Sequence, residues 1–225
     1  VIYAVGDIHG ECEKLEELLA CLPLKEGDSL VFLGDYVDRG PDPRGVIETL
    51  IALRATRRCT FLLGNHESMF LDYLGWTDPR HQGAELFLDN GGQRTLESYG
   101  LDARASRRGA GPRLPGDHEE FLLGLPLFYR EDSYLFIHAG LGECRRTSSD
   151  LEASLLAART DDLLWNRTLG DARHEFGMTV VYGHTSQEDF GVRWNLPYSV
   201  GIDTGAVYGG PLTALRLPDH EIFQV

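Results

Sequence analysis

Five apolar runs of strand length recur along the chain, and each stops at a side chain able to bind a metal ion. Residues 1–5 lead into Gly6-Asp7-Ile8-His9-Gly10, and residues 29–33 lead into Gly34-Asp35-Tyr36-Val37-Asp38-Arg39-Gly40. Residues 60–63 lead into Gly64-Asn65-His66-Glu67, residues 134–137 end at His138, and residues 179–183 end at His184. Unbroken apolar runs of this length read as strands buried on both faces. Between the first three lie two amphipathic segments. Residues 11–22 carry Leu15, Leu18, Leu19 and Leu22 at helical spacing, with Glu11, Glu13, Glu16 and Glu17 toward water, and residues 43–56 present Val46, Ile47, Leu50, Ile51 and Leu53. Strand, helix, strand, helix, strand predicts parallel neighbours joined by right-handed crossovers. In such a sheet the carboxyl ends of the strands border one crevice, so the five metal-capable ends are expected to converge.

Past Asn65 the period changes. Residues 67–74, 84–89 and 93–99 all read as helix with no strand between them, an inserted helical segment beside the site, and residues 75–80 read as a loop at the rim of a substrate groove. Residues 101–116 hold Arg104, Arg107, Arg108 and Arg113 among Gly, Ala and Pro, the pattern of a solvated loop or of an arm that steers a phosphorylated ligand. A helix over 118–124, a strand over 125–131 and a helix over 151–158 follow. Short strands then dominate, at 179–183, 191–194, 199–203, 212–217 and 221–225, and their spacing predicts a largely antiparallel second sheet. Two stacked sheets with helices outside make a four-layer α/β/β/α sandwich, one domain over 1–225.

Length and charge narrow the functions. A chain of 225 residues buries a full core without staples. Its net charge of -14 argues against holding nucleic acid through a general field, so any phosphate contact has to be local. No apolar stretch approaches the roughly 20 residues of a membrane-crossing helix. The four cysteines, Cys12, Cys21, Cys59 and Cys144, form no C-x-x-C pair and read as reduced thiols of a cytoplasmic protein, expected to be a monomer. The chain opens at Val1, directly in a strand, which leaves room for a segment removed ahead of it.

Asp7 and His9 are two apart, so an extended chain points both to one side. With Asp35, Asn65, His138 and His184 they supply enough oxygen and imidazole for two divalent ions, Asp35 bridging. Mixed carboxylate, amide and imidazole ligation without thiolate favours manganese, iron or zinc over calcium; manganese is the ion expected first. Two such ions about 3.5–4 Å apart lower the pKa of a water and clamp the oxygens of an in-line displacement at phosphorus. His66 is left free to protonate the leaving oxygen, with Asp38 holding its imidazole. Arg39 and Arg167 match the non-bridging phosphoryl oxygens. His81, His118, His174 and His220 read as ordinary core or surface histidines.

Taken together, these motifs resemble the calcineurin-type metallophosphoesterases, and more narrowly the bacterial branch of the phosphoprotein phosphatase family of serine/threonine phosphatases. The likeness extends through Asn90-Gly91-Gly92-Gln93-x-Thr95-Leu96, Leu163-Leu164-Trp165-x-Arg167 and Ile202-Asp203-Thr204-Gly205-Ala206-Val207-Tyr208. It implies the metal and phosphate roles above, His66 with Asp38 as the acid pair, and Tyr208 in the pocket wall. Residues 142–150 depart from the family pattern, which bears on substrate selection. The expected activity is hydrolysis of phosphoserine and phosphothreonine, and of phosphotyrosine, by direct attack of water, on a phosphoprotein or a small phosphorylated substrate. A symmetrical dinucleoside tetraphosphatase is the alternative, and a non-catalytic interaction scaffold a third reading.

Overall fold

The structure, a computed structural model, describes residues 1–102, 114–142 and 151–225 except Thr77, Pro79 and Phe176. The strands are β1 (Ile2–Val5), β2 (Ser29–Phe32), β3 (Arg58–Phe61), β4 (Phe128–Glu131), β5 (Tyr134–Ile137), β6 (Thr179–Tyr182), β7 (Arg193–Asn195), β8 (Ser199–Gly201), β9 (Thr213–Leu217) and β10 (Glu221–Gln224). The helices are α1 (Cys12–Cys21), α2 (Pro43–Arg54), α3 (Asn65–Tyr73), α4 (Gln93–Tyr99), α5 (Gly116–Leu123), α6 (Leu151–Leu156) and α7 (Thr160–Leu164). Capping is explicit at α2, where Asp42 Oδ1 accepts the Gly45 N–H at 2.9 Å and proline occupies the first turn.

One sheet runs β10-β9-β1-β2-β3 and the other β4-β5-β6-β8-β7. As expected, β1, β2 and β3 are parallel neighbours. The second sheet, however, is mixed and not largely antiparallel: β5, β6 and β8 run parallel, and only the outer strands β4 and β7 are reversed. Alternation of apolar residues reports which face a strand buries, not the direction of its partner. β9 and β10 do not belong to that sheet either; β9 pairs antiparallel with β1. Four of the five residues of β9 are buried, which suits a strand inside a sheet. Residues 84–89 are not a helix of their own but a turn running into a π-type stretch at Leu88–Gly92, broken by Gly91 at φ 95°.

The sheets stack through Ile2, Ala4, Val31 and Leu33 on one side and Phe136, Val181, Val200 and Ile202 on the other. Alternate residues of the first sheet, Tyr3, Val5, Leu30 and Phe32, meet Leu15 and Leu18 of α1 and Val46, Ile47 and Leu50 of α2. Leu135, Ile137 and Val180 of the second sheet meet Leu155 and Leu163 of α6 and α7. Period-2 strands between period-3.6 helices therefore fill four layers. No helix among the described residues is long and apolar enough to cross a membrane.

Register sets the site. Val5, Phe32 and Phe61 stand side by side at the ends of β1, β2 and β3, and Ile137, Tyr182 and Gly201 do the same in the second sheet. The loops carrying Asp7, Asp35, Asn65, His138, His184 and Asp203 consequently leave the two sheets at one level.

Candidate active site

Asp35 lies at the centre. Its carboxylate is buried, with Oδ2 3.5 Å from His9 Nε2 and Oδ1 3.4 Å from His138 Nε2. Asn65 Oδ1 is 2.9 Å from both His138 Nε2 and His184 Nδ1. The outer nitrogens fix the tautomers: His9 Nδ1–H donates to the Val37 carbonyl at 3.0 Å, and His138 Nδ1–H to the Leu33 carbonyl at 2.8 Å. Each neutral ring therefore turns a lone pair, not a proton, toward the oxygens of Asp35. Acceptors facing acceptors in a buried site call for a cation between them, and the donor atoms fit one. Two groups, His9 with Asp35 and His66, and Asp35 with His138 and His184, each have their donor atoms within 4.8 Å of one another. Arg39 Nη1 reaches His9 Nε2 at 2.7 Å, so a guanidinium already stands in this position for positive charge.

Asp7 stands slightly apart. Both its oxygens accept the His184 N–H at 3.0 Å, and its carboxylate belongs to neither group of donor atoms. Burial, then the charges of Asp203 and Asp35, raise its carboxyl well above the ordinary range. Burial would raise Asp35 too, but the imidazoles of His138, His66 and His9 hold it below its usual value. Burial also lowers His9, His138 and His184, the last to about 3. We take the rings as neutral and Asp35 as ionised, the state in which the donor set attracts a divalent ion.

His66 points differently. Its Nδ1–H donates to Asp38 Oδ2 at 2.6 Å, and its Nε2 lies 4.0 Å from Asp35 Oδ2. Although its Nε2 is close enough to count among the metal-capable atoms, its outer nitrogen bonds a second carboxylate, where those of His9 and His138 bond carbonyls. Thr95 completes this pair, donating from Oγ1 to Asp38 Oδ1 at 2.5 Å.

The backbone is bent to achieve this. His9, Asp35, Asp38, Arg39 and His184 all have left-handed φ, between 47° and 70°. Such conformations persist in residues with a Cβ only where surrounding contacts hold them. Glu67 is one such contact: its buried carboxylate accepts the N–H groups of Asp35 (2.9 Å), Tyr36 (2.7 Å), Val37 (3.1 Å) and Gly64 (3.0 Å). Gly64 itself has to be glycine, because a Cβ there would collide with the Asp35 carboxylate and backbone.

Beside these residues opens a crevice of about 70 Å³, lined by Asp35, Asn65, His66 and His184 together with Arg39, Arg167 and Tyr208. Arg167 donates to the His184 carbonyl at 3.2 Å, and the Arg39 guanidinium lies 5.5 Å from the centre of the Tyr208 ring, which is 56% exposed. The three outer residues expected from sequence thus border the same opening. Four others border it without having been given a role: Asn90, Trp165, Ser186 and Asp203. Asn90, Trp165 and Asp203 sit inside motifs already recognised as segments; Ser186 carries no sequence signal beyond lying two residues past His184.

Other expectations fall elsewhere. His81, His118 and His174 are buried outside the site, bonded to the Trp76 carbonyl, the Tyr99 hydroxyl and the Tyr198 carbonyl. The described part of the 75–80 loop does not rim the crevice; Arg80 turns to Asp78 and the Leu125 carbonyl. Arg104, Arg107, Arg108 and Arg113, and the departure over 143–150, lie outside the described residues.

Comparison with known proteins agrees with this geometry. The chain is 28% identical, over 98% of its own length and 90% of the relative's, to an asymmetrical bis(5'-nucleosyl)-tetraphosphatase of Oceanobacillus iheyensis. It is equally 28% identical to a symmetrical bis(5'-nucleosyl)-tetraphosphatase of Legionella pneumophila, over 99% of this chain and 96% of that one. A crystal structure provisionally assigned as a diadenosine tetraphosphatase superposes with a TM-score of 0.65 at 28% identity, covering 100% of this chain and 92% of that one. Residues 1–211 match the model of the calcineurin-like phosphoesterases, and it is to that family that the chain belongs.

Proposed function

We propose that this protein is a metal-dependent hydrolase of dinucleoside tetraphosphates. What carries the reading is the near end-to-end similarity to both the symmetrical and the asymmetrical enzymes. The expectation of a serine/threonine protein phosphatase finds no comparable support among these relatives.

In this reading Asp7, His9, Asp35, Asn65, His138 and His184 would hold two divalent ions, manganese being the one proposed; Asp35 has donor atoms in both groups. Such a pair would polarise the phosphoryl oxygens and lower the pKa of a water near phosphorus. The chain's own part is to place charge and protons. Arg39 and Arg167 both line the crevice, and a planar guanidinium there would donate two parallel hydrogen bonds to phosphoryl oxygens. As an imidazolium with Nδ1–H held on Asp38, His66 would carry a second proton on Nε2, which borders the crevice, and deliver that one to the departing oxygen. Tyr208, exposed beside Arg39, borders the exit for the remainder of the substrate.

The test is direct competition between substrates. Purified protein supplied with manganese is given diadenosine tetraphosphate and a phosphopeptide panel in parallel, and products are separated by chromatography. ADP alone identifies symmetrical cleavage, and ATP with AMP asymmetrical cleavage. Turnover of phosphopeptides with the dinucleotide left intact would reject the reading.

A further inference from the structure

We propose that Thr95 is the positioning residue that sets the aim of His66 by locking Asp38; this role presupposes the proton-donor reading of His66 above. Thr95 lies on α4, 57 residues from Asp38 in sequence, and its side chain is completely buried. Its hydroxyl makes two bonds to the same residue. Oγ1 accepts the Asp38 N–H at 2.9 Å, and it is 2.5 Å from Asp38 Oδ1. A hydroxyl has one proton, and an amide N–H can only donate. The proton of Thr95 therefore points at Oδ1, and Oδ2 alone remains for His66 Nδ1–H at 2.6 Å. Both carboxylate oxygens are then occupied, Asp38 cannot turn about its side-chain bond, and His66 keeps its Nε2 toward the crevice.

The same segment also fixes the backbone. Asp38 and Arg39 are consecutive residues with φ of 70° and 66°, and each amide is tied down by the turn before or within α4: Asp38 N to Thr95 Oγ1, Arg39 N to the Gly91 carbonyl at 3.2 Å. Gly91 has φ 95°, and a Cβ there would press on Arg39, 2.8 Å from its Cγ and 3.0 Å from its N. One short stretch, Gly91 to Thr95, thus secures both the proposed acid and one of the proposed phosphate-binding arginines. Removing the Thr95 hydroxyl leaves a buried amide and a buried carboxylate oxygen without partners, and Asp38 free to turn away from His66.

Manganese-loaded Thr95→Val and Thr95→Ser are compared with the unaltered protein on phenyl phosphate and p-nitrophenyl phosphate. Phenolate needs a proton to depart; nitrophenolate does so far less. Thr95→Val should lower kcat on phenyl phosphate by about 10–100-fold with a distinctly smaller loss on the nitrophenyl ester, KM and metal content holding steady. Thr95→Ser, which keeps the hydroxyl, should stay within about threefold on both substrates. Equal losses on the two esters, or no loss, in a folded and metal-replete Val variant would overturn the proposal. Should Thr95→Val not fold, the Ser variant decides: a wild-type ratio of the two rates upholds the hydroxyl's role, and a ratio shifted toward the nitrophenyl ester overturns it. Because both esters report phosphoester hydrolysis in general, failure to cleave diadenosine tetraphosphate would sink the substrate reading and leave this one standing.

Discussion

Replacing Glu67 with Gln is the most informative single perturbation of the scaffold. Glu67 accepts four backbone N–H groups, two on each oxygen, and so holds the Asp35-Tyr36-Val37 turn against Gly64. Burial, then the charge of Asp35, raises its carboxyl, while the amides of Val37, Tyr36 and Asp35 pull it back down. Four donors leave neither oxygen free to carry a proton, so the geometry is that of the ionised form. Glutamine presents an NH₂ to two of those donors. It forfeits two hydrogen bonds to a charged group at roughly 1.5–3 kcal/mol each, about 3–6 kcal/mol together. For a chain of this size, in which 1 kcal/mol moves Tm by about 2–4 °C, the melting temperature should fall by roughly 6–24 °C. Calorimetry of the metal-free proteins at neutral pH reads this directly, without interference from ion binding. A shift of less than about 3 °C would refute the reasoning. Glutamine would then be a close mimic of a protonated acid, and the clamp would be neutral in the native protein.

Three other outcomes are expected. His66→Asn should lose on the order of 10²-fold or more in kcat while keeping its metal content, measured by atomic emission; an unchanged rate on phenyl phosphate would remove His66 from the acid role. Manganese at about 100 times its dissociation constant should add about 2.7 kcal/mol of stability, raising Tm by roughly 5–11 °C in differential scanning fluorimetry, and chelation should reverse it. His118, buried against Tyr99, has its pKa lowered by burial, so the fold binds fewer protons than the unfolded chain. The stability it confers is present above the ordinary histidine pKa of about 6.5 and is lost as pH falls below it, so His118→Gln should flatten the decline of Tm between neutral and mildly acidic pH.

The residues of the candidate site were legible in the sequence because their signals are local. A glycine turn at the end of an apolar run, or two ligands spaced i and i+2, needs only the immediate chain to be recognised, and strands that end level bring those ends together. Asp7 shows where that logic thins: its motif was plain, yet its carboxylate turns to the His184 amide and outside the two donor groups. What tertiary structure alone decided was partnership. Nothing in an apolar run over 212–217 says whether it will join the second sheet or lie antiparallel to β1, because periodicity encodes which face is buried and not which backbone supplies the hydrogen bonds. Thr95 and Glu67 are hydrogen-bonded to residues about 30 to 57 positions away in sequence, so their tasks exist only once the chain has closed those loops. Sequence chose the chemistry at the strand ends; long-range closure chose how each group is aimed.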